Sequence, residues 1–185
     1  SSKAEVIVVD NNSTDKTKQI AKKYTPKIYN QGPERSAQRN FGAQKARGKW
    51  LLFLDADTIL SSKAIKKGLK KGEKERLVGL YIAEIILGNS FWCQVRRFER
   101  SFYDATPIDA VRLIRADIFR QIGGFDRHLT GPEDWDLDKR VRALGKTALI
   151  EPSDFFFLNR KLNKFNYEKE NFVSRLNRIA SKAVV

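Results

Sequence analysis

An open α/β sheet, mostly parallel and flanked by helices, is the fold class this sequence predicts. Three apolar runs carry the expectation: AEVIVVD at 4–10, WLLFLD at 50–55 and LVGLYIAEIIL at 77–87. They are continuous rather than alternating, the pattern of strands buried on both faces. Stretches with helical punctuation separate them, and strand taking turns with helix is the signature of α/β folds.

The elements follow in order. After the 4–10 strand, NNSTDKTKQIAKKY offers Ser13 or Thr14 as a helix N-cap, with Asp15 in the first turn and Lys22 and Lys23 near the end, where the dipole favours cations. Pro26 stops that helix. A short strand is expected near Lys27 to Tyr29, a turn at Gly32 and Pro33, and a helix from about Glu34 to Ala46 stopped by Gly48. WLLFLD is the next strand, and Ser61 or Ser62 caps a lysine-rich helix to about Lys71.

Beyond the 77–87 strand, Phe91, Val95, Phe98 and Phe102 recur at helical spacing, with Arg96, Arg97 and Arg100 mostly off that stripe. An amphipathic helix is expected at 89–104, with ordinary core packing the favoured role for its stripe. Residues 109–115 read as an edge strand, 116–122 as a short helix, GGFDRHLTGP as a loop, 133–144 as a helix and TALIE as a last strand. Residues 1–151 then form one domain. Residues 152–185 form a basic C-terminal extension, packed on the domain or on a membrane surface, with a helix from Glu168 to Ala183.

Composition narrows the classes. At 185 residues and 41% hydrophobic content the chain can build one well-packed core. Its 36 Lys+Arg against 22 Asp+Glu give a net charge of +14, suited to meeting anions: nucleic acid, phosphorylated small molecules or an acidic membrane face. A single cysteine, Cys93, excludes an internal disulfide and a thiolate zinc cluster, favours a reducing, cytoplasmic setting, and reads as a buried spectator. The longest apolar stretch is too short to span a bilayer and contains Glu84. With no methionine and an opening SSKAE just ahead of a core strand, the chain is expected to be a processed or truncated piece.

The chemistry is expected at the carboxyl ends of the strands, where ligands gather in such sheets. VIVVD ends in Asp10, and FLDAD supplies Asp55 and Asp57. A turn-forming aspartate accounts for one such acid; three at two strand ends point to a ligand. Carboxylates two apart in extended chain project to one side, and Ala56 between them leaves room for a divalent cation and the phosphates it bridges. Mg²⁺ or Mn²⁺ fits this Asp-x-Asp motif. Arg35 and Arg39, four apart, share a helix face that either grips a base or phosphate or is merely solvated; Lys45 and Arg47 read as solvated. In GGFDRHLTGPEDWDLDKRV, Gly123 and Gly124 permit a sharp turn and Glu133, Asp134 and Asp136 open a helix, where the dipole alone would favour them. Trp135 beside Asp134 suits the holding of a sugar ring while a carboxylate takes its proton. His128 reads as a loop residue.

EVIVVDNNSTDKT, ERSAQRNFGAQKARGKWLLFLDADT and GGFDRHLTGPEDWDLDKRV together resemble the successive motifs of the family 2 glycosyltransferases, over about residues 4–151. That resemblance implies the GT-A (Rossmann-like) fold and a metal-dependent, inverting transfer from a nucleotide-diphosphate sugar to an acceptor hydroxyl. It puts Asp10, Asn12, Arg35, Arg39, Asp55 and Asp57 on the donor side. Asp57, with Asp55, would hold the Mg²⁺ or Mn²⁺, and Asp134 would be the catalytic base. Gly124, Glu133 and Trp135 would meet a carbohydrate or lipid-linked acceptor. The family usually has a further strand before this point and often a metal-binding His after the base; EPSDFFFLNRK has none.

Two other classes stand beside this one. A relative that binds sugar nucleotides without turnover would account for the missing strand and histidine. A basic nucleic-acid-binding module would account for the charge, but no helix-turn-helix, zinc-finger or RNP-like signature is present, so no nucleic acid partner is expected. The arginine-faced aromatic helix adds an expected peripheral contact with the anionic inner face of a membrane.

Overall fold

The computed structural model describes residues 4–55, 60, 63–83, 90–100, 102–103, 106 and 110–150. Its order is β1 (Val8–Asp10), α1 (Thr17–Ala21), β2 (Ile28–Asn30), α2 (Arg35–Lys45), β3 (Trp50–Leu52), α3 (Ala64–Glu75), β4 (Gly79–Ile82), α4 (Phe91–Arg100), β5 (Leu113–Arg115), α5 (Ala116–Gln121), α6 (Glu133–Leu144) and β6 (Thr147–Ile150). The α/β class stands. Ser61, Ser62, Asp57 and the 152–185 extension lie outside the described residues.

β1 and β2 pair in parallel, and the other four strands form a sheet ordered β3-β5-β4-β6. β5 is antiparallel to both neighbours while β4 and β6 are parallel. β3, β4 and β6 therefore all run one way, and only β5 opposes them. The edge position expected for β5 is corrected: Leu113 pairs with both Leu52 and Leu80. Leu113 and Ile114 are fully buried, the demand of a central strand.

Two clusters fill the core. One joins Leu51, Tyr81, Val111, Ile114, Phe119, Phe125, Leu137 and Val141 on the face carrying α5 and α6; the other joins Trp50, Leu80, Ile82, Leu113 and Ile150 beneath α3. Helix α3 lies close on the sheet because it presents glycine there. A Cβ at Gly72 would come within 2.7 Å of the Trp50 ring and 3.3 Å of Leu80. Trp50 is fixed in turn, its indole N–H donating to Glu73 at 2.8 Å.

Helix ends depart from expectation where other groups cap better. In α1 the N-cap is Lys16, without a side-chain bond; Asp15 accepts from the Thr17 N–H instead, and Ser13 is engaged elsewhere. α3 begins behind Lys63 and runs past Lys71 to Glu75, where Arg76 adopts the left-handed conformation. β1 is shorter than the 4–10 run, and of that run only Asp10 among the described residues is buried. The largest correction concerns α4, whose aromatic stripe is exposed rather than packed, and whose Cys93 is half-buried.

Candidate active site

The site assembles where strands β1 and β3 end and helices α2 and α6 begin. Glu34 sets the first of these helices: its two carboxylate oxygens accept the Ser36 and Ala37 N–H groups at 2.7 and 2.8 Å, a strong N-cap. At its first residue and one turn in, Arg35 and Arg39 point from α2 across to α6 and β3.

Arg39 is the hub. Its guanidinium donates to Asp134 Oδ1 and to Asp55 Oδ1, each at 3.1 Å, and lies 3.8 Å from Glu133. It also stacks over Phe125, 5.1 Å from the ring centre. Arg35 donates to Glu133 at 2.8 Å, and Arg112 pairs with the other oxygen of Asp55 at 3.1 Å. Three carboxylates and three guanidiniums thus interleave, and Arg39 offsets the repulsion among the acids it joins. Glu133 is buried, with its second oxygen accepting the Gly131 N–H at 2.8 Å.

Environment drives two of these acids apart. Burial pushes the Asp134 carboxyl up, against the pull of Arg39 and Arg112, and the charges of Glu133 and Asp55 add to the rise. Burial acts in the same direction on Asp55, but there the adjoining Arg112 and Arg39 outweigh it, and the carboxyl falls below its ordinary value. Neighbouring acids with opposed affinities for a proton are the usual arrangement in which one is a base and the other a permanent charge.

The other expected residues take their places around this core. Asp10 is buried at the end of β1, accepting from the Ser13 N–H at 2.8 Å and the Ser13 hydroxyl at 2.6 Å, with Lys18 at 3.4 Å. Its backbone carbonyl accepts from Gln31 beyond β2, which ties this end to the turn that launches α2. Asn12 is exposed in the same loop at φ 54°. Trp135 is exposed beside Asp134. Gly124 has φ 77°, and a Cβ there would meet Asn40 at 2.5 Å. That approach lets the Asn40 side chain grip Phe125 twice, donating to its carbonyl at 2.7 Å and accepting its N–H at 2.8 Å. Asp136 pairs with Arg140 on its own helix, and exposed His128 caps back on Asp126.

Arg112 and Asn40 went unrecognised in the sequence. Arg112 carried a signal: a lone cation inside VRLI, an apolar run, needs an acid partner. Asn40 carried none, since an amide on a helix does not announce which backbone it will bond. Among the described residues, no group of three or more His, Cys, Asp or Glu side chains is placed to hold a metal ion, and no helix is long and apolar enough to cross a membrane.

With this geometry in view, the sequence profile described as Glycosyl transferase family 2 matches residues 1–165. The chain belongs to glycosyl transferase family 2. It is 24% identical over 189 residues to an uncharacterized glycosyltransferase of Methanocaldococcus jannaschii, covering 92% of this chain and 63% of that protein. It is 29% identical over 161 residues to the glycosyltransferase AglE of Haloferax volcanii, covering 78% and 53%. An uncharacterized glycosyltransferase of Haemophilus influenzae is 30% identical over 115 residues, covering 62% and 42%. This family 2 chain thus spans roughly two fifths to three fifths of the curated relatives it matches. Among solved structures, S. aureus TarS 1–349 superposes with a TM-score of 0.64 at 20% identity, covering 96% of this chain and 62% of that one. Its complex with UDP-GlcNAc gives 0.56, with 96% and 64% covered. That likeness carries the fold, a GT-A arrangement.

Proposed function

We propose that this family 2 chain transfers a sugar from a nucleoside-diphosphate donor to an acceptor hydroxyl, with Asp134 as the base. The observation that carries the reading is Arg39, one guanidinium joining the strand-end acid Asp55 to the helix-start acid Asp134 at a shared rim. A carboxylate whose proton affinity is raised, lying beside an exposed tryptophan, suits an acceptor sugar stacked on Trp135 with its hydroxyl toward Asp134. Asp134 takes the hydroxyl proton as that oxygen bonds to the anomeric carbon from the face opposite the leaving diphosphate, and the configuration inverts. Glu133 is too buried to touch the acceptor; it positions Arg35 and Arg39.

The donor lies along Asp10, Asn12 and the start of α2, where the Arg35 guanidinium suits phosphate. Both oxygens of Asp55 are occupied by Arg39 and Arg112, so Asp57 is the better ligand for a Mg²⁺ or Mn²⁺ ion, which typically keeps only one or two carboxylates. Such an ion, when bound, supplies charge to the departing diphosphate. TarS has been solved with UDP and with UDP-GlcNAc, which makes uridine diphosphate the first nucleotide to try.

Asp134→Asn is expected to cut transfer by about 10²–10⁴-fold, the worth of a positioned base, while calorimetry finds uridine diphosphate bound within about threefold of the parent. A parallel loss of binding and turnover would remove Asp134 from the role. Asp57→Ala is expected to abolish the Mn²⁺-dependent part of nucleotide binding and leave the metal-free part unchanged.

A further inference from the structure

Helix α4 turns its apolar stripe away from the protein. Phe91, Trp92, Phe98 and Phe102 expose 70%, 72%, 69% and 65% of their surface, and Val95 39%. No residue of α4 is buried, and the half-covered ones are Cys93, Arg97, Glu99 and Arg100. The polar side faces inward and the aromatic side faces solvent, the reverse of a core-packing helix. Phe91 stacks edge-on against Trp92 at 5.5 Å and Phe98 against Phe102 at 5.0 Å, so the exposed rings stand as two stacked pairs along one ridge. A ridge of that size marks a surface that is covered in use.

Charge chooses the occupant. Arg96, Arg97 and Arg100 against the single Glu99 leave the helix positive, on a chain of net charge +14. A second copy would bring the same charge to the contact and be repelled. A bilayer with anionic headgroups supplies both complements: acyl chains for Phe and Trp rings, which favour the interfacial depth, and phosphates for the Arg96 guanidinium, whose side chain is 65% exposed beside the stripe. Topology adds a reason. α4 lies in the excursion between β4, which ends at the rim where Asp55 sits, and β5, which begins there with Arg112 alongside.

We propose that α4 docks this protein on anionic phospholipid surfaces through its Phe91–Phe102 ridge, bringing the strand-end rim to the membrane. The inference goes beyond sugar transfer, and its test uses no turnover. The full chain is floated with vesicles of phosphatidylcholine containing about 30% phosphatidylglycerol, at about 50 mM salt. The parent is expected in the vesicle fraction and absent from it with pure phosphatidylcholine. Phe91→Ser/Phe98→Ser is expected to weaken capture about tenfold or more, and Arg96→Glu several-fold, with melting temperature and uridine diphosphate binding unchanged.

Failure of the parent to float, equal capture by neutral vesicles, or equal capture of parent and double variant overturns the proposal. So does a parent that sediments as a dimer and becomes monomeric in the double variant, because a second copy then covers the ridge. A double variant that melts more than about 5 °C early places the ridge in a packed core and overturns it equally. Loss of nucleotide binding with vesicle capture intact would count against the transferase reading alone.

Discussion

Arg39 touches Asp55, Asp134 and Phe125 and lies within 4 Å of Glu133, and its side chain is only 12% exposed. Removing it leaves Glu133 and Asp134 with less charge compensation in a shielded setting, so Arg39→Ala is expected to destabilise folding by about 3–5 kcal/mol in urea titrations. Arg39→Lys should recover little of this, since a single ammonium cannot fork to acids on two elements. Asp134 has its own pH signature. Folding raises its affinity for a proton, so between the ordinary 3.8 and the raised value the native state holds more protons than the unfolded chain. Its contribution to stability is therefore full below 3.8 and is lost as pH climbs through the raised value. Asparagine at 134 does not titrate, so the stability of Asp134→Asn relative to the parent is expected to improve with pH across that window, measured by denaturation at each pH. Asp55 runs the opposite way, its contribution fading as pH drops below 3.8. The acids themselves were legible, because strand ends and helix starts are marked by sequence pattern. The pairing of Asp55 with Arg112 was not, because it depends on where β5 inserts.

At the scale of elements, α3 shows how a helix is seated. Alanine outranks glycine in an isolated helix by about 1 kcal/mol, yet at Gly72 the added methyl meets a Trp50 ring that Glu73 holds in place. Gly72→Ala is accordingly expected to destabilise by about 1–3 kcal/mol, as overpacking does, with thermal melting as the readout; a stabilised variant would mean the ring gives way. Most element types were legible from continuous apolar runs and punctuation by Gly and Pro. What escaped was pairing order and facing. The LIR segment carries the same residues whether central or at an edge, and the helical spacing of Phe91, Val95, Phe98 and Phe102 fixes one face without saying toward what. Caps also shifted where a competing bond existed, as when Asp10 claimed Ser13.

For the molecule as a whole, family membership and fold converge. The net charge of +14 makes any anion contact sensitive to ionic strength, so nucleotide and vesicle measurements belong at matched salt. Asn40 has a mechanical meaning at this scale. Its amide acts toward Phe125 as a neighbouring strand would, offering donor and acceptor at once. Helix α2, which presents the arginines, is thereby latched to the loop that leads into α6, which presents Asp134, the proposed base. Asn40→Ala keeps every charged group yet unfastens the latch. Its expected mark is a fall in turnover of about tenfold or more with nucleotide affinity nearly unchanged, since small misalignments tax the reacting geometry far more than ground-state grip.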